Sequence, residues 1–142
     1  MEAVMQIDKA LIILAFSSAL PMAAQAWEQN MERGVDLYEA TDGPVLLSLV
    51  CDPNTVYGTT ESAVMVGIGT NHDMTAPVSF RFPDLITIDA LMDHGRIAKA
   101  TNEGGIWEPL LAGFRAHGSV TVTVGDNTYD VNLGEPKVFT CL

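Results

Sequence analysis

Basic residues and cysteines are scarce in this 142-residue chain, and each scarcity argues against a class of function. Lys and Arg number 7 against 18 Asp and Glu, which leaves a formal net charge of −11. Binding to nucleic acid or to an anionic membrane surface needs clustered Lys and Arg, so the composition opposes both. The two cysteines, Cys51 and Cys141, lack the CxxC spacing typical of zinc sites and redox motifs.

Sequence signatures of catalysis are also missing. The chain contains no G-x-S-x-G elbow, P-loop, HExxH pair, EF-hand loop or dinucleotide-binding glycine pattern. It has three histidines, His72, His94 and His117, and a Ser-His-Asp triad assembles in space and not in sequence. We therefore expect a protein without catalytic residues, and the alternative is an exported hydrolase whose site the fold assembles.

The N-terminus has the order of a cleavable secretory signal. Lys9 precedes an uncharged apolar run from Ala10 to Leu20, Pro21 ends the run, and Ala24-Gln25-Ala26 forms a small-x-small cleavage site. The run is shorter than the roughly 20 apolar residues that span a bilayer. We therefore expect no stable membrane insertion after cleavage, and translation from Met5 in place of the first methionine leaves the same cleavage site.

Cleavage would separate the signal, residues 1–26, from one domain of residues 27–142. Glu2, Asp8 and Lys9 leave with the signal, so the domain keeps 16 of the 18 acidic residues and 6 of the 7 basic ones, a formal net charge of −10. This charge favours solubility and a cationic protein partner.

The cysteine count predicts one disulfide. An even number of cysteines in an exported chain indicates pairing, because the periplasm and the extracellular medium are oxidising. A bond between Cys51 and Cys141 would tie the end of the chain to an early strand.

Short apolar or alternating segments predict a mainly β fold. The predicted strands are residues 35–38, 45–51, 63–68, 78–82, 85–91, 95–100, 120–124, 129–133 and 136–141. The run Val45–Cys51 is almost continuously apolar, which predicts a central strand buried on both faces. The even spacing of the segments predicts an antiparallel β-sandwich or barrel.

One segment, Trp107–Ala116, has helical spacing in the C-terminal third of the chain. Leu110, Leu111 and Phe114 recur at the helical period, which predicts a short amphipathic helix whose aromatic residues lie in the core. We expect Gly118 to end this helix in the left-handed conformation.

Two tripeptides mirror each other, His72-Asp73-Met74 and Met92-Asp93-His94, and each lies in a predicted loop. Imidazole and thioether ligands together suit copper, Cu(I) in particular. If the loops meet at one end of the sandwich, they form a candidate metal site. Its ligands would be His72, Met74, Met92 and His94. The alternative is that Asp and His populate turns while Met fills the core, and then no cofactor is expected.

Tyr57 lies in the predicted loop that follows the strand ending at Cys51. Tyrosine is favoured at protein interfaces, so Tyr57 is a candidate partner-binding residue. The alternative is that its ring packs against the loop itself.

The order of several motifs resembles a known family. The leader is followed at once by Trp27 and then by a strand ending in cysteine (LLSLVC), and a helix with LLAGFRAHG and a closing GEPKVFTC come late in the chain. This is similar to small bacterial periplasmic proteins of the invasion-associated-locus-B kind and of the VasI-like kind, which are type VI secretion accessory proteins. The resemblance implies a β-sandwich with one short helix and a non-enzymatic role in the envelope or in secretion. The chain departs from the family in its strong acidity and in lacking the further cysteines of some members.

These features together predict an exported protein, periplasmic or secreted, that binds a cationic protein partner or serves as a secretion or envelope accessory. An inhibitor of a basic wall-degrading enzyme is one concrete version. The alternatives from other classes are the exported hydrolase and a periplasmic copper-binding protein.

Overall fold

A computed structural model describes residues 27–52, 62–102 and 105–141 of the chain. The strands are β1 (Glu28–Glu32), β2 (Val35–Asp42), β3 (Val45–Cys51), β4 (Ala63–Ile68), β5 (Ala76–Arg81), β6 (Thr87–Met92), β7 (Arg96–Ala98), β8 (Ser119–Val124) and β9 (Asn127–Asn132), and the helix α1 spans Trp107–Ala116. The predicted signal of residues 1–26 and the loop residue Tyr57 lie outside the described residues.

The strands form two antiparallel sheets. The five-stranded sheet has the order β1-β2-β3-β4-β7, and the four-stranded sheet has the order β6-β5-β8-β9. The two sheets and the single described helix confirm the prediction of a mainly β sandwich with a short helix in the C-terminal third. The fully exposed β1, with the sequence EQNME, was not predicted because it lacks apolar alternation.

The core lies between the sheets, and β3 shows how its residues are divided. Val45, Leu47 and Leu49 alternate into the core, whereas Leu46 and Val50 point the other way, are only half-buried and do not belong to the core. The predicted central position of β3 is correct, because β3 is the middle strand of five. The predicted burial on both faces is only partly correct. On the outer face of β3, Ser48 is 6% exposed, whereas Leu46 and Val50 are half-buried because the packing of the two sheets covers only the inner face.

The helix α1 has the predicted bounds and fills the space beside the two sheets. The ring of Phe114 meets the rings of Trp27, Phe80 and Phe82 edge-on, with centroids 5.6, 5.7 and 5.6 Å apart. Gly113 allows this close docking, because a Cβ atom there would lie 2.2 Å from the ring of Phe82.

The end of the helix differs from the prediction. His117 leaves the helix with extended backbone (φ −122°), and Gly118 does not adopt the left-handed conformation. Gly118 is needed for space, because a Cβ atom there would lie 2.9 Å from the carbonyl oxygen of Gly134. The backbone at Gly118 also accepts a hydrogen bond from the N–H of Leu133 at 2.8 Å, so the two chain segments touch directly.

The predicted closing strand at residues 136–141 is wrong, because the chain there has no strand structure. Pro136 has no N–H to donate to a strand ladder. The segment is held by side chains instead. Phe139 is buried in the core, and the Thr140 hydroxyl donates to an Asp36 carboxylate oxygen at 2.6 Å.

The strand predicted at residues 85–91 begins two residues later, at Thr87. A turn occupies the preceding residues, where the N–H of Leu85 donates to the carbonyl oxygen of Phe82 at 2.9 Å. Leu85 has a φ of 69°, which a bulky side chain rarely adopts outside a turn.

The predicted disulfide is present between Cys51 and Cys141, which are 90 residues apart in sequence. It joins the end of β3, the middle strand, to the C-terminal segment that has no strand hydrogen bonds of its own. The guanidinium of Arg115 donates to the carbonyl oxygen of Cys141 at 3.0 Å, so the helix holds the same segment.

Replacing both Cys51 and Cys141 by Ala should lower the free energy of unfolding by about 3–5 kcal/mol, because the disulfide removes conformational freedom from the unfolded chain. Urea unfolding followed by circular dichroism measures the loss. Reduction of the unaltered protein should give a similar loss, while the exposed substitution Val138→Ala should leave the midpoint unchanged. Equal stability of the double variant and the oxidised protein would contradict this expectation.

Candidate functional site

The two mirrored tripeptides lie on connections that cross between the sheets at one corner of the sandwich. His72-Asp73-Met74 belongs to the β4–β5 connection, and Met92-Asp93-His94 runs from the end of β6 into the β6–β7 turn. The N–H of Gly95 donates to the carbonyl oxygen of Met74 at 2.7 Å, and the carbonyl oxygen of Gly95 accepts from the N–H of Val66 at 2.8 Å. The two segments therefore meet, as the copper hypothesis requires.

An ion pair joins the two segments at the surface. The Nδ1 atom of His94 lies 2.8 Å from Oδ1 of Asp73, and its Nε2 atom lies 3.8 Å from Oδ1 of Asp93. The hydrogen bond to Asp73, the charge of Asp73 and then the charge of Asp93 raise the pKa of His94 above 6.5. The side chains of His94 and Asp73 are 73% and 78% exposed, so water and salt screen this attraction.

The four candidate copper ligands point in different directions. Met92 is 2% exposed and belongs to the core, and Met74 packs against the core from its edge. His94 is turned to solvent, and the Nε2 atom of His72 lies 3.1 Å from the carbonyl oxygen of Gly69. Within the described ranges, no group of three or more His, Cys, Asp or Glu side chains is placed to hold a metal ion. The copper site therefore stays a prediction. Its two candidate thioether ligands, Met74 and Met92, lie against the core and in it.

The third histidine, His117, lies just beyond α1 and packs against the β5–β6 turn. Its ring stacks on Phe82 with centroids 5.6 Å apart, and its Nε2 atom lies 3.2 Å from Oδ2 of Asp84. In the part of the chain that the structure describes, each histidine ring bonds to a carboxylate or a backbone carbonyl and none to a Ser or Thr hydroxyl. The hydrolase alternative therefore has no Ser–His pair among these residues.

Replacing Asp73 by Asn should lower the pKa of His94 toward 6.5, because the carboxylate is the largest cause of the raised value. An NMR titration of the His94 ring protons measures the change, and Asp126→Asn in the β8–β9 turn should leave the titration as it is. The raised folded-state pKa means that this pair stabilises the fold fully below about pH 6.5 and that the contribution disappears as the pH rises through the folded-state pKa. An unchanged titration in the Asp73→Asn protein would contradict the assignment.

The outer face of the four-stranded sheet is mainly polar, and the exposed Leu91 of β6 is its exception. The Thr121 hydroxyl donates to Oδ1 of Asp130 at 2.8 Å, and the Ser79 hydroxyl donates to Oδ1 of Asp89 on the neighbouring strand. An antiparallel sheet with one solvated face is expected to alternate in this way, apolar toward the core and polar toward water.

A groove of about 380 Å³ lies at one end of this polar face. Arg81 and the exposed Leu85 line it on one side, and Thr121 and Asp130 line it on the other. The groove therefore combines apolar and polar side chains. Its carboxylate, Asp130, already accepts a hydrogen bond from the Thr121 hydroxyl.

The outer face of the five-stranded sheet is apolar by contrast. Its outward side chains on β2, β3 and β4 include Leu37, Leu46, Val50 and Met65. Half-buried aliphatic side chains at such positions on a solvent face are the kind of patch that marks interaction sites. We call this surface the apolar outer face.

A small cleft opens in the apolar outer face. Leu46, Ser48, Met65 and His72 line a cavity of about 40 Å³ together with the adjoining backbone. Gly67 forms part of its floor, because a Cβ atom there would lie 2.3 Å from the His72 ring. This cleft was not predicted, although the lone serine inside the apolar run VLLSLVC was a signal for it.

No family model, curated protein or solved structure matches this chain. The resemblance in motif order to periplasmic and secretion accessory proteins therefore stays a prediction. Among the described residues, no helix is long and apolar enough to cross a membrane, since α1 has only 10 residues.

Proposed function

We propose that this chain is an exported, non-enzymatic binding or accessory protein of the cell envelope that engages a cationic protein partner. The observation that carries the proposal is a pair of like charges on the surface. Glu28 of β1 and Glu39 of β2 are direct cross-strand partners. Like charges opposite each other destabilise a sheet, and a cationic group placed between them would remove the repulsion.

The wider distribution of charge supports a cationic partner. The described ranges contain 14 Asp and Glu residues and 6 Lys and Arg residues. Among these cations, Arg115 donates to a backbone carbonyl, and the Lys137 ammonium lies 5.8 Å from the centre of the Tyr38 ring. An excess of surface carboxylates attracts positively charged molecules and speeds their association.

Two features support export. The Cys51–Cys141 disulfide suits an oxidising compartment, because cytosolic reductants keep thiols reduced. Trp27, the residue that cleavage after Ala26 would leave at the N-terminus, is 4% exposed and packs edge-on against Phe114. Removal of the predicted signal would therefore leave this aromatic packing intact.

Binding to a basic wall-degrading muramidase tests the proposal. We expect measurable affinity at 0.01 M ionic strength and a loss of about tenfold or more at 0.1 M, because the Debye length falls from about 30 Å to about 10 Å over that range. Isothermal titration calorimetry measures both affinities, and an acidic protein of similar size serves as the control. Absence of binding to the muramidase at the lower ionic strength, or an affinity that does not depend on salt, would count against a cationic partner.

A further inference from the structure

We infer that the cleft in the apolar outer face is the anchor point for the cationic partner and that it receives a single Lys or Arg side chain. This inference rests on the proposed function, because it names the surface that holds the partner.

The two outer faces differ in their outward side chains. The four-stranded sheet presents mainly hydroxyls and carboxylates that bond to one another, as in the Thr121–Asp130 pair, together with the exposed Leu91. The five-stranded sheet presents a larger group of aliphatic side chains and Met65, which is 37% exposed. Adjacent apolar side chains on an outer face are suited to contact with another molecule.

The hydroxyl-bearing side chain of Ser48 forms part of the wall of the cleft. Ser48 is 6% exposed and makes no side-chain hydrogen bond with the described residues. Its hydroxyl is therefore available to accept a hydrogen bond from a group entering the cleft.

Ser48 lies in a row of side chains that crosses four strands of the five-stranded sheet. The strand register places Glu28, Glu39, Ser48 and Met65 side by side across β1, β2, β3 and β4. Directly paired residues on neighbouring strands are about 5 Å apart, so the Glu39 carboxylate is within reach of a group bonded to Ser48. The row therefore passes from two carboxylates through a hydroxyl to a thioether.

A Lys or Arg side chain matches the chemistry of this row. Lys and Arg bury an aliphatic stem while the charged end stays near water or a carboxylate. The stem would contact Leu46 and Met65, and the charged end would donate to Ser48 Oγ and to the Glu39 carboxylate. A cavity of about 40 Å³ holds part of one side chain and is far smaller than a typical small-molecule site.

The row also assigns a direction to the incoming side chain. A cation approaching over β1 and β2 passes Glu28 and Glu39. The partner therefore approaches over the edge of the sheet that β1 forms.

The test uses the purified protein with its methionine methyl groups labelled with carbon-13, and two soluble peptides of equal charge. The probe is acetyl-Ser-Lys-Ser-Lys-Ser-Lys-amide, and the control replaces each Lys by diaminobutyric acid, which shortens the stem by two methylenes. We expect the Lys peptide to shift the Met65 methyl resonance at pH 6.5 and low salt, and the control peptide to bind at least threefold more weakly. The exposed Met31 of β1 lies on the opposite face in the strand register and serves as the reference.

Two substitutions locate the binding. Glu39→Gln and Ser48→Ala should each weaken binding of the Lys peptide by about threefold or more. Asp126→Asn removes one negative charge elsewhere, as Glu39→Gln does in the row, and should change the affinity by less than about twofold. The methyl resonance of the buried Met92 checks that each variant is folded. If Ser48→Ala disturbs that resonance, Glu39→Gln decides the outcome.

The possible failures are distinguishable. If both peptides shift Met65 equally, or if Glu39→Gln and Asp126→Asn weaken binding equally, the cleft is not the anchor. Binding of the muramidase would then still support a cationic partner. A shift confined to other methyl groups also overturns the cleft. If neither peptide binds and the muramidase does not bind, the inference and the proposed function fall together.

Discussion

A connected set of aromatic rings holds the two sheets, the helix and the C-terminal segment together, and Phe114 of α1 lies at its centre. Its ring touches Trp27 before β1 and both Phe80 and Phe82 at the end of β5, and Phe139 in turn touches Trp27 at 5.3 Å. Edge-to-face ring pairs add specific geometry to the burial of large apolar surfaces. Because the rings come from distant parts of the chain, their packing determines how the sheets face each other, and the disulfide joins β3 to the same C-terminal segment.

This core uses only the inner face of each sheet, so the chemistry available for recognition lies on the outer faces. Side-chain bonds such as Thr121–Asp130 satisfy the polar groups of the four-stranded sheet internally. The five-stranded sheet instead presents apolar side chains, the hydroxyl of Ser48 in its cleft and the cross-strand pair of Glu28 and Glu39. A basic side chain could contact all three with its aliphatic stem and its charged end. For this reason the cationic partner and the apolar outer face belong to one proposal. The Asp73–His94 pair joins two connections at the corner next to the cleft, because His72 and Gly95, which line the cleft, adjoin this pair in sequence.

Several elements could be predicted because their signals are local. A short apolar run located the strand Ala63–Ile68, helical spacing located Trp107–Ala116 to the residue, and the count of cysteines predicted their pairing. The segment at residues 136–141 failed as a strand because its apolar residues are held by a ring, a hydroxyl and a disulfide instead of a neighbouring strand. The strand β1 was missed because the pairing with β2 supplies its stability, and its own exposed side chains carry no pattern.

The sequence by itself determined which residues alternate, where the helix lies, which cysteines pair and that the chain is acidic, because each of these follows from neighbouring residues or from composition. Only the tertiary structure decided which face of β3 is covered, that Ser48 stands beside Glu39, and that the mirrored tripeptides meet through Asp73 and His94 while their methionines lie in or against the core. A period of two shows that successive side chains point to opposite faces of a strand. It does not show which of those faces another sheet will cover, since that depends on contacts between residues far apart in the chain.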